Sequence, residues 1–246
     1  MIKDSFVDFK YYDEFLGWSK MPSFIEAFII KNNIKSVFEI GAGANPTISP
    51  DVVKRLGISY TVNDMDVEEL EKADPIYHKD VLDLCRNDIS DTFKNTYDLV
   101  FSRMAGEHFY NAKALHANIY KLLSDGGYSV HCFSTLYSFP FLVNKLVPDW
   151  LSDKLLALFH PRENYYQNAK FKAYYDMAFG PSKKMIIFFT AQGYAIEKYT
   201  GYFGHPYYNS LPVIRSIEKL KARWLVKHPL PVLTSYASIV LQKRIS

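Results

Sequence analysis

Val37-Phe38-Glu39-Ile40-Gly41-Ala42-Gly43-Ala44-Asn45-Pro46 is the stretch that decides the fold of this chain. An apolar run ends in an acid and then in two glycines spaced for a tight turn. A buried strand stops in this way at the edge of a parallel sheet, and the turn leaves backbone N–H groups facing a ligand. Ile58-Ser59-Tyr60-Thr61-Val62-Asn63-Asp64 reads as a second strand. It ends in a carboxylate about 20 residues after the glycines, the separation that lets an acid reach a ribose hydroxyl. Glycine turn and carboxylate together point to an adenosine-containing cofactor.

The glycine pattern narrows the choice. A dinucleotide needs a third glycine three residues after the second, so that pyrophosphate can sit on a helix N-terminus. Here that position is Pro46, and the loop reads Gly-x-Gly-x-Asn-Pro. Glu39 puts a negative charge near the ligand, which repels pyrophosphate but pairs with the ammonium of a methionine moiety. At these residues the chain resembles the class I S-adenosylmethionine-dependent methyltransferases. Their first motif is an acid, a spacer and Gly-x-Gly, matched by Glu39, Gly41 and Gly43. The resemblance implies S-adenosylmethionine as cofactor, its methionine part wrapped by the loop and its ribose held by Asp64. It also implies an adenine contact from Asp80, and further cofactor contacts from Asn45, Met65, Val81 and Ser102. Tyr97-Asp98-Leu99-Val100 matches the family's fourth-strand motif, and Leu122-Leu123-Ser124-Asp125-Gly126-Gly127 matches the turn before its fifth strand. Residues 35–133 carry the match. They speak to fold and cofactor and say little of the methyl acceptor.

The alternation of strands and helices agrees. Strands are expected at 35–40, 58–64, 75–81, 97–102, 128–133 and 235–241, with a further one through Tyr194. Helices are expected from Pro22, from Ser49-Pro50 through Leu56, over Val67–Lys72 and through Leu115–Leu123, the last ended by Asp125-Gly126-Gly127. This rhythm predicts an α/β fold, a doubly wound and mostly parallel seven-stranded sheet of the Rossmann-like kind, with a lid after strand five. The 246 residues fit one domain. Within it, 1–34 form a helical lead-in and 35–133 a cofactor-binding half. Residues 134–180 form a lid insertion, and 181–246 the C-terminal strands with an acceptor-side segment at 201–231.

Composition excludes several classes. The net charge of +3 is too mild for a nucleic-acid surface. Nucleic acid is further disfavoured because strand four lacks the Pro-Pro-aromatic motif of amino-methylating DNA enzymes and no Pro-Cys nucleophile is present. Cys85 and Cys132, in apolar surroundings, read as reduced core thiols of a cytoplasmic protein, and no metal site is expected. Met1-Ile2-Lys3-Asp4 lacks a secretory design, and no window approaches the roughly 18 apolar residues of a spanning helix.

Candidate acceptor residues lie elsewhere. His108, in Gly106-Glu107-His108, follows the fourth strand at the edge where ligands bind in open α/β sheets. It reads either as a general base or as a helix cap. His160-Pro161-Arg162-Glu163-Asn164-Tyr165 offers a second base, His160, with Arg162 and Tyr165 as substrate contacts; an internal Arg–Glu pair closing the lid is the other reading. Gly201-Tyr202-Phe203-Gly204-His205 brackets aromatics with glycines and puts His205 on the substrate side. His131 reads as a satisfied core histidine, and His78 and His116 as peripheral. The leucines of Phe139–Phe159 fit a lid helix. They also fit a peripheral surface for a lipid-linked acceptor, with Lys145 and Lys154 at the headgroups. Together these features suggest methyl transfer to a small molecule or glycan, at oxygen. The rivals are a nicotinamide oxidoreductase, disfavoured by the absent third glycine and by a Tyr194-x-x-x-Lys198 spacing that falls on an expected strand, and a cofactor-binding subunit without turnover.

Overall fold

Val37 and Phe38 are neighbours in sequence and belong to different cores. In the computed structural model, which describes residues 9–15, 17–87, 95–135, 173–205 and 212–245, Val37 packs with one apolar cluster and Phe38 with another. This is the period-two consequence of a strand buried on both faces. The strand is β2 (Ser36–Ile40), after β1 (Phe9–Tyr12) and α1 (Gly17–Lys31). Next come α2 (Pro50–Leu56), β3 (Ser59–Asn63), α3 (Val67–Glu71), β4 (His78–Asp80), β5 (Tyr97–Arg103), α4 (Ala112–Leu122) and β6 (Leu123–Ser134). The described elements end with α5 (Lys183–Ala191), β7 (Tyr194–Tyr202), α6 (Pro212–Lys227) and β8 (Tyr236–Lys243).

All eight strands form one sheet in the order β1-β7-β8-β6-β5-β2-β3-β4. Only β8 runs antiparallel to its neighbours, β6 and β7. One face is covered through Met21, Ile25 and Ile29 of α1 and Val53 of α2, against Val37, Val62, Leu99 and Phe101. The other is covered by Leu115 and Ile119 of α4 and Met185 and Phe189 of α5, against Phe38, Ile40 and Val100. The chain leaves β2 toward β3 and β4, then returns to place β5 on the other side of β2. This reversal opens a crevice between the ends of β2 and β5, where open α/β sheets bind ligands.

Several expectations change. The sheet has eight strands rather than seven, because the lead-in contributes β1, paired in parallel with β7 from Phe9↔Tyr199 to Tyr12↔Tyr202. Aromatic stacking holds that edge, with Tyr11 on Phe203 at 5.3 Å between ring centroids. Helix α1 begins at Gly17, with Pro22 inside it. Ser49 sits at the N-cap of α2, but its side chain caps nothing; Pro50 supplies the start. Asp125-Gly126-Gly127 does not end a helix. Helix α4 stops at Leu122, and the glycines lie inside β6. A Cβ at Gly127 would stand 2.9–3.2 Å from the carbonyl oxygens of Ser124, Asp98 and Tyr97, so the glycine permits close backbone approach.

His116 is not peripheral. It is buried on α4, its ring 5.3 Å from that of His131 and edge-on to it. His131 is a satisfied core residue, with Nδ1 2.8 Å from Ser102 Oγ and Nε2 2.6 Å from Ser129 Oγ. Burial pushes its pKa down to about 3, and His116 is driven in the same direction first by burial and then by His131. Cys85 and Cys132 are free and buried, as expected, with the Cys132 thiol pushed up to about 12 chiefly by burial.

Candidate functional site

The turn after β2 is built for backbone exposure. Gly41 and Gly43 hold φ of +68° and +50°, a region that disfavours side chains. Ala42 N–H donates to Asn63 O at 3.0 Å, tying the turn to the end of β3, and Asn45 N–H closes it on Ala42 O at 3.1 Å. A Cβ at Gly43 would lie 3.3 Å from Asp64 Oδ2, so glycine leaves room between turn and carboxylate. Asp64 itself is half-buried just beyond β3, and its Oδ1 accepts from Asp66 N–H at 3.0 Å.

Glu39 differs from expectation. It is 2% exposed and faces into the protein rather than toward a ligand. Its carboxylate accepts from Thr47 N–H at 2.9 and 3.2 Å, from Thr47 Oγ1, and from Tyr60 OH at 2.7 Å. Burial raises its pKa, and these bonds pull it back down. The acid is thus a clamp on the far limb of the glycine turn. Charge-assisted bonds of this kind contribute about 1.5–3 kcal/mol each.

Asp80 closes the edge at the end of β4. Asn63 Nδ2 donates to Asp80 O and Leu82 O, each at 3.0 Å, fixing the strand end. The Asp80 carboxylate keeps one oxygen, Oδ2, buried without a hydrogen-bond partner, and burial raises its pKa. A buried acceptor left unsatisfied is costly unless a ligand donates to it. Met65 and Val81, beside these two acids, are exposed apolar side chains. Ser102 is fully buried and its hydroxyl is engaged by His131, so its side chain is turned away from the crevice. Asn45 is exposed, and its carbonyl accepts from Arg103 Nη2 at 3.3 Å.

Arg103 went unread in the sequence. The expected strand stopped at Ser102, whereas β5 runs one residue further and puts this cation on the crevice. A basic residue ending an apolar run was the available signal. Thr47 and Tyr60 were missed for want of one, since their roles depend on where Glu39 turns.

His108 lies in a 3₁₀ turn, Gly106–His108, just after β5 and half-buried. Neighbouring Glu107 is buried, with Oε2 lacking a hydrogen-bond partner, and its carbonyl accepts from Tyr174 and Tyr175 N–H at 2.8 and 3.0 Å. Asp176 Oδ2 accepts from Ala112 N–H at 2.8 Å, so the last part of the 134–180 insertion is tied onto the His108 turn and the start of α4. His160, Arg162 and Tyr165 lie outside the described residues. His205 follows β7 and lines a cavity of about 170 Å³ with Asp13, Glu14, Arg215 and Arg223. Strand β7 stands three positions from β5, about 14 Å at ordinary strand spacing. The described part of the site therefore places Gly41, Gly43, Asp64, Asp80 and Arg103 at the ends of β2, β3, β4 and β5, with His108 in the turn after β5 and His205 at a separate cavity.

Residues 38–131 match the family model described as a methyltransferase domain. No curated protein matches the chain in sequence. Among solved structures it is similar to phosphoethanolamine N-methyltransferase 2 of Haemonchus contortus in complex with S-adenosyl-L-methionine. That likeness has 14% identity and a TM-score of 0.54, over 89% of this chain and 52% of that one. A SAM-dependent methyltransferase from Archaeoglobus fulgidus is similar over 90% of this chain and 94% of its own, at 12% identity and a TM-score of 0.52. The [4+2]-cyclase SpnF is similar over 96% and 86%, at 10% identity and a TM-score of 0.55. Identities this low speak for the fold alone, and a cyclase among the likenesses warns against reading a reaction from it.

Proposed function

We propose that this chain, whose residues 38–131 match the methyltransferase-domain model, is a class I S-adenosylmethionine-dependent methyltransferase and transfers a methyl group to an oxygen of a small-molecule or glycan acceptor. S-adenosylmethionine, when bound, supplies that methyl on a sulfonium centre. In this reading Gly41 and Gly43 let the backbone approach the cofactor, while Glu39 acts on it only through the turn that it clamps. Asp64 accepts from the ribose hydroxyls and Asp80 from the adenine amino group. Met65 and Val81 flank the base, and Arg103 beside Asn45 meets the carboxylate of the methionine moiety. The observation that carries the reading is Asp80 Oδ2, a buried acceptor without a partner on the same edge as the glycine turn and Asp64.

His108 is the proposed general base, taking the proton from the acceptor hydroxyl as the methyl arrives. His160, Arg162, Tyr165 and His205 are proposed for the acceptor side, with the chain read as a single methyltransferase domain whose 134–180 and 201–231 segments enclose the acceptor. The two buried free thiols fit a reducing, cytoplasmic setting.

Calorimetric titration with S-adenosylhomocysteine tests the cofactor site. Wild-type protein should bind it, and Asp64→Ala should weaken binding by about 1.5–3 kcal/mol, the value of hydrogen bonds to a charged group. Equal affinity in the two proteins would remove Asp64 from the site. Binding of NAD in place of S-adenosylhomocysteine would favour an oxidoreductase.

A further inference from the structure

Helix α6 is apolar on the wrong side for a helix of a monomer in water. Its 16 residues span about 24 Å, and it packs on the protein through Ala222 and Leu225, against Phe203 at the end of β7. The opposite side carries Val213, Ile217, Leu220 and Trp224, which are 74%, 64%, 71% and 54% exposed. Their spacing of four, three and four puts them in one stripe. Lys221 borders this stripe on one side and Arg223 and Lys227 on the other, by the turn of the helix. Leu230, Val232 and Leu233, directly after the helix, are exposed as well. Scattered apolar side chains on a surface are ordinary, whereas a continuous exposed stripe marks an interaction site.

Charge selects the occupant. The helix holds five basic residues, Arg215, Lys219, Lys221, Arg223 and Lys227, against one acid, Glu218. That acid is less exposed and already engaged by Lys221 at 2.5 Å. Asp13 stands 3.6 Å from Arg223, which still leaves the helix and its neighbours with more cations than acids, and a second copy seated by two-fold symmetry would bring that excess against its own image. An anionic bilayer answers both features, taking the apolar stripe among its acyl chains and the flanking Lys and Arg at its headgroups. No helix of the described residues is long and apolar enough to cross a membrane, so α6 would lie in the plane of the surface.

We infer that α6 is a membrane-docking helix that seats the protein on anionic lipid. Strand β7 leads into α6 from the carboxyl edge of the sheet, and β8 starts again from that edge, so docking brings the same edge that carries the glycine turn to the membrane surface. The inference is independent of the methyltransferase reading, because lipid binding is measured without cofactor.

Co-sedimentation of the full chain with vesicles tests it. The protein should pellet with vesicles of equal parts phosphatidylcholine and phosphatidylglycerol and stay in solution with phosphatidylcholine alone. Binding should weaken as added salt shortens the Debye length from about 10 Å at 0.1 M to about 3 Å at 1 M. The double variant Ile217→Glu/Leu220→Glu should bind about a hundredfold more weakly, with its melting temperature unchanged. Should that variant fail to fold, the charge-only pair Lys221→Gln/Lys227→Gln should still lower binding to the anionic vesicles. No binding to anionic vesicles, or binding that neither pair of changes weakens, would overturn the inference. So would a wild-type dimer that Ile217→Glu/Leu220→Glu makes monomeric, which would assign the stripe to a second copy.

Discussion

The two ends of the sheet's carboxyl edge handle their side chains in opposite ways. Around β2, β3, β4 and β5 the polar groups turn inward and are held there. Glu39 clamps Thr47 and Tyr60, Asn63 pins the end of β4, and Arg103 caps the Asn45 carbonyl. Beyond β7 the apolar groups turn outward, and α6 keeps only Ala222 and Leu225 buried. A hydrogen-bonded crevice and an exposed apolar surface thus share one edge. The first suits a ligand of fixed shape, and the second a partner that is broad and soft.

The contrast breaks most completely at Gly43. Its positive φ and the 3.3 Å approach to Asp64 Oδ2 leave no place for a branched side chain. Gly43→Val should abolish binding of S-adenosylhomocysteine while circular dichroism stays that of a folded protein. Retained binding would reduce the inward-turned end to an ordinary strand connection.

His108 sharpens the comparison, because it follows β5, the last strand of the inward-turned end. His108→Ala should lower methyl transfer by about 10²–10⁴-fold, the loss expected for a general base, with cofactor affinity unchanged. A KM effect alone, with kcat intact, would make the residue an acceptor contact.

A smaller effect separates the pinned half by pH. His131 and His116 are buried neutral, with pKa values below the ordinary 6.5. The unfolded chain binds protons that the folded one refuses, so their contribution is present above about pH 6.5 and is lost as pH falls, for His131 toward about 3. The slope is about 1.4 kcal/mol per pH unit for each histidine. Glu39, raised above its ordinary 4.5, acts with the opposite sign and lowers stability as pH rises past that value. Thermal melts between pH 6.5 and 5 should therefore show a falling melting temperature, with the slope about halved in His131→Gln. An unchanged slope would mean that His131 takes a proton without leaving the core.

Much of the half that carries the glycine turn was legible because its signals are local. A φ of +68° or +50° selects glycine wherever it occurs, and alternation along β2 and β5 follows from a strand buried on both faces. Acids that end strands announce themselves as Asp64 and Asp80 did. The acceptor half was less legible. Of its described candidates, His108 follows β5 directly, whereas His205 stands at a cavity whose other charges come from the end of β1 and from α6, elements far from it in sequence.

From residue order alone came the parallel α/β architecture, the glycine turn and the acids at the ends of β3 and β4, since each rests on backbone conformation or on strand periodicity. Tertiary packing decided the rest. Whether Glu39 meets a ligand or a threonine depends on which way a buried carboxylate finds its donors, and Thr47 and Tyr60 reach it first. Whether Phe9–Tyr12 is a tail or an edge strand depends on β7 offering it a free ladder. Helix α6 carries two apolar stripes, and its sequence does not rank them. The smaller one, Ala222 and Leu225, meets Phe203, with Ala222 small enough to let the helix approach the end of β7, and the larger one is left facing outward.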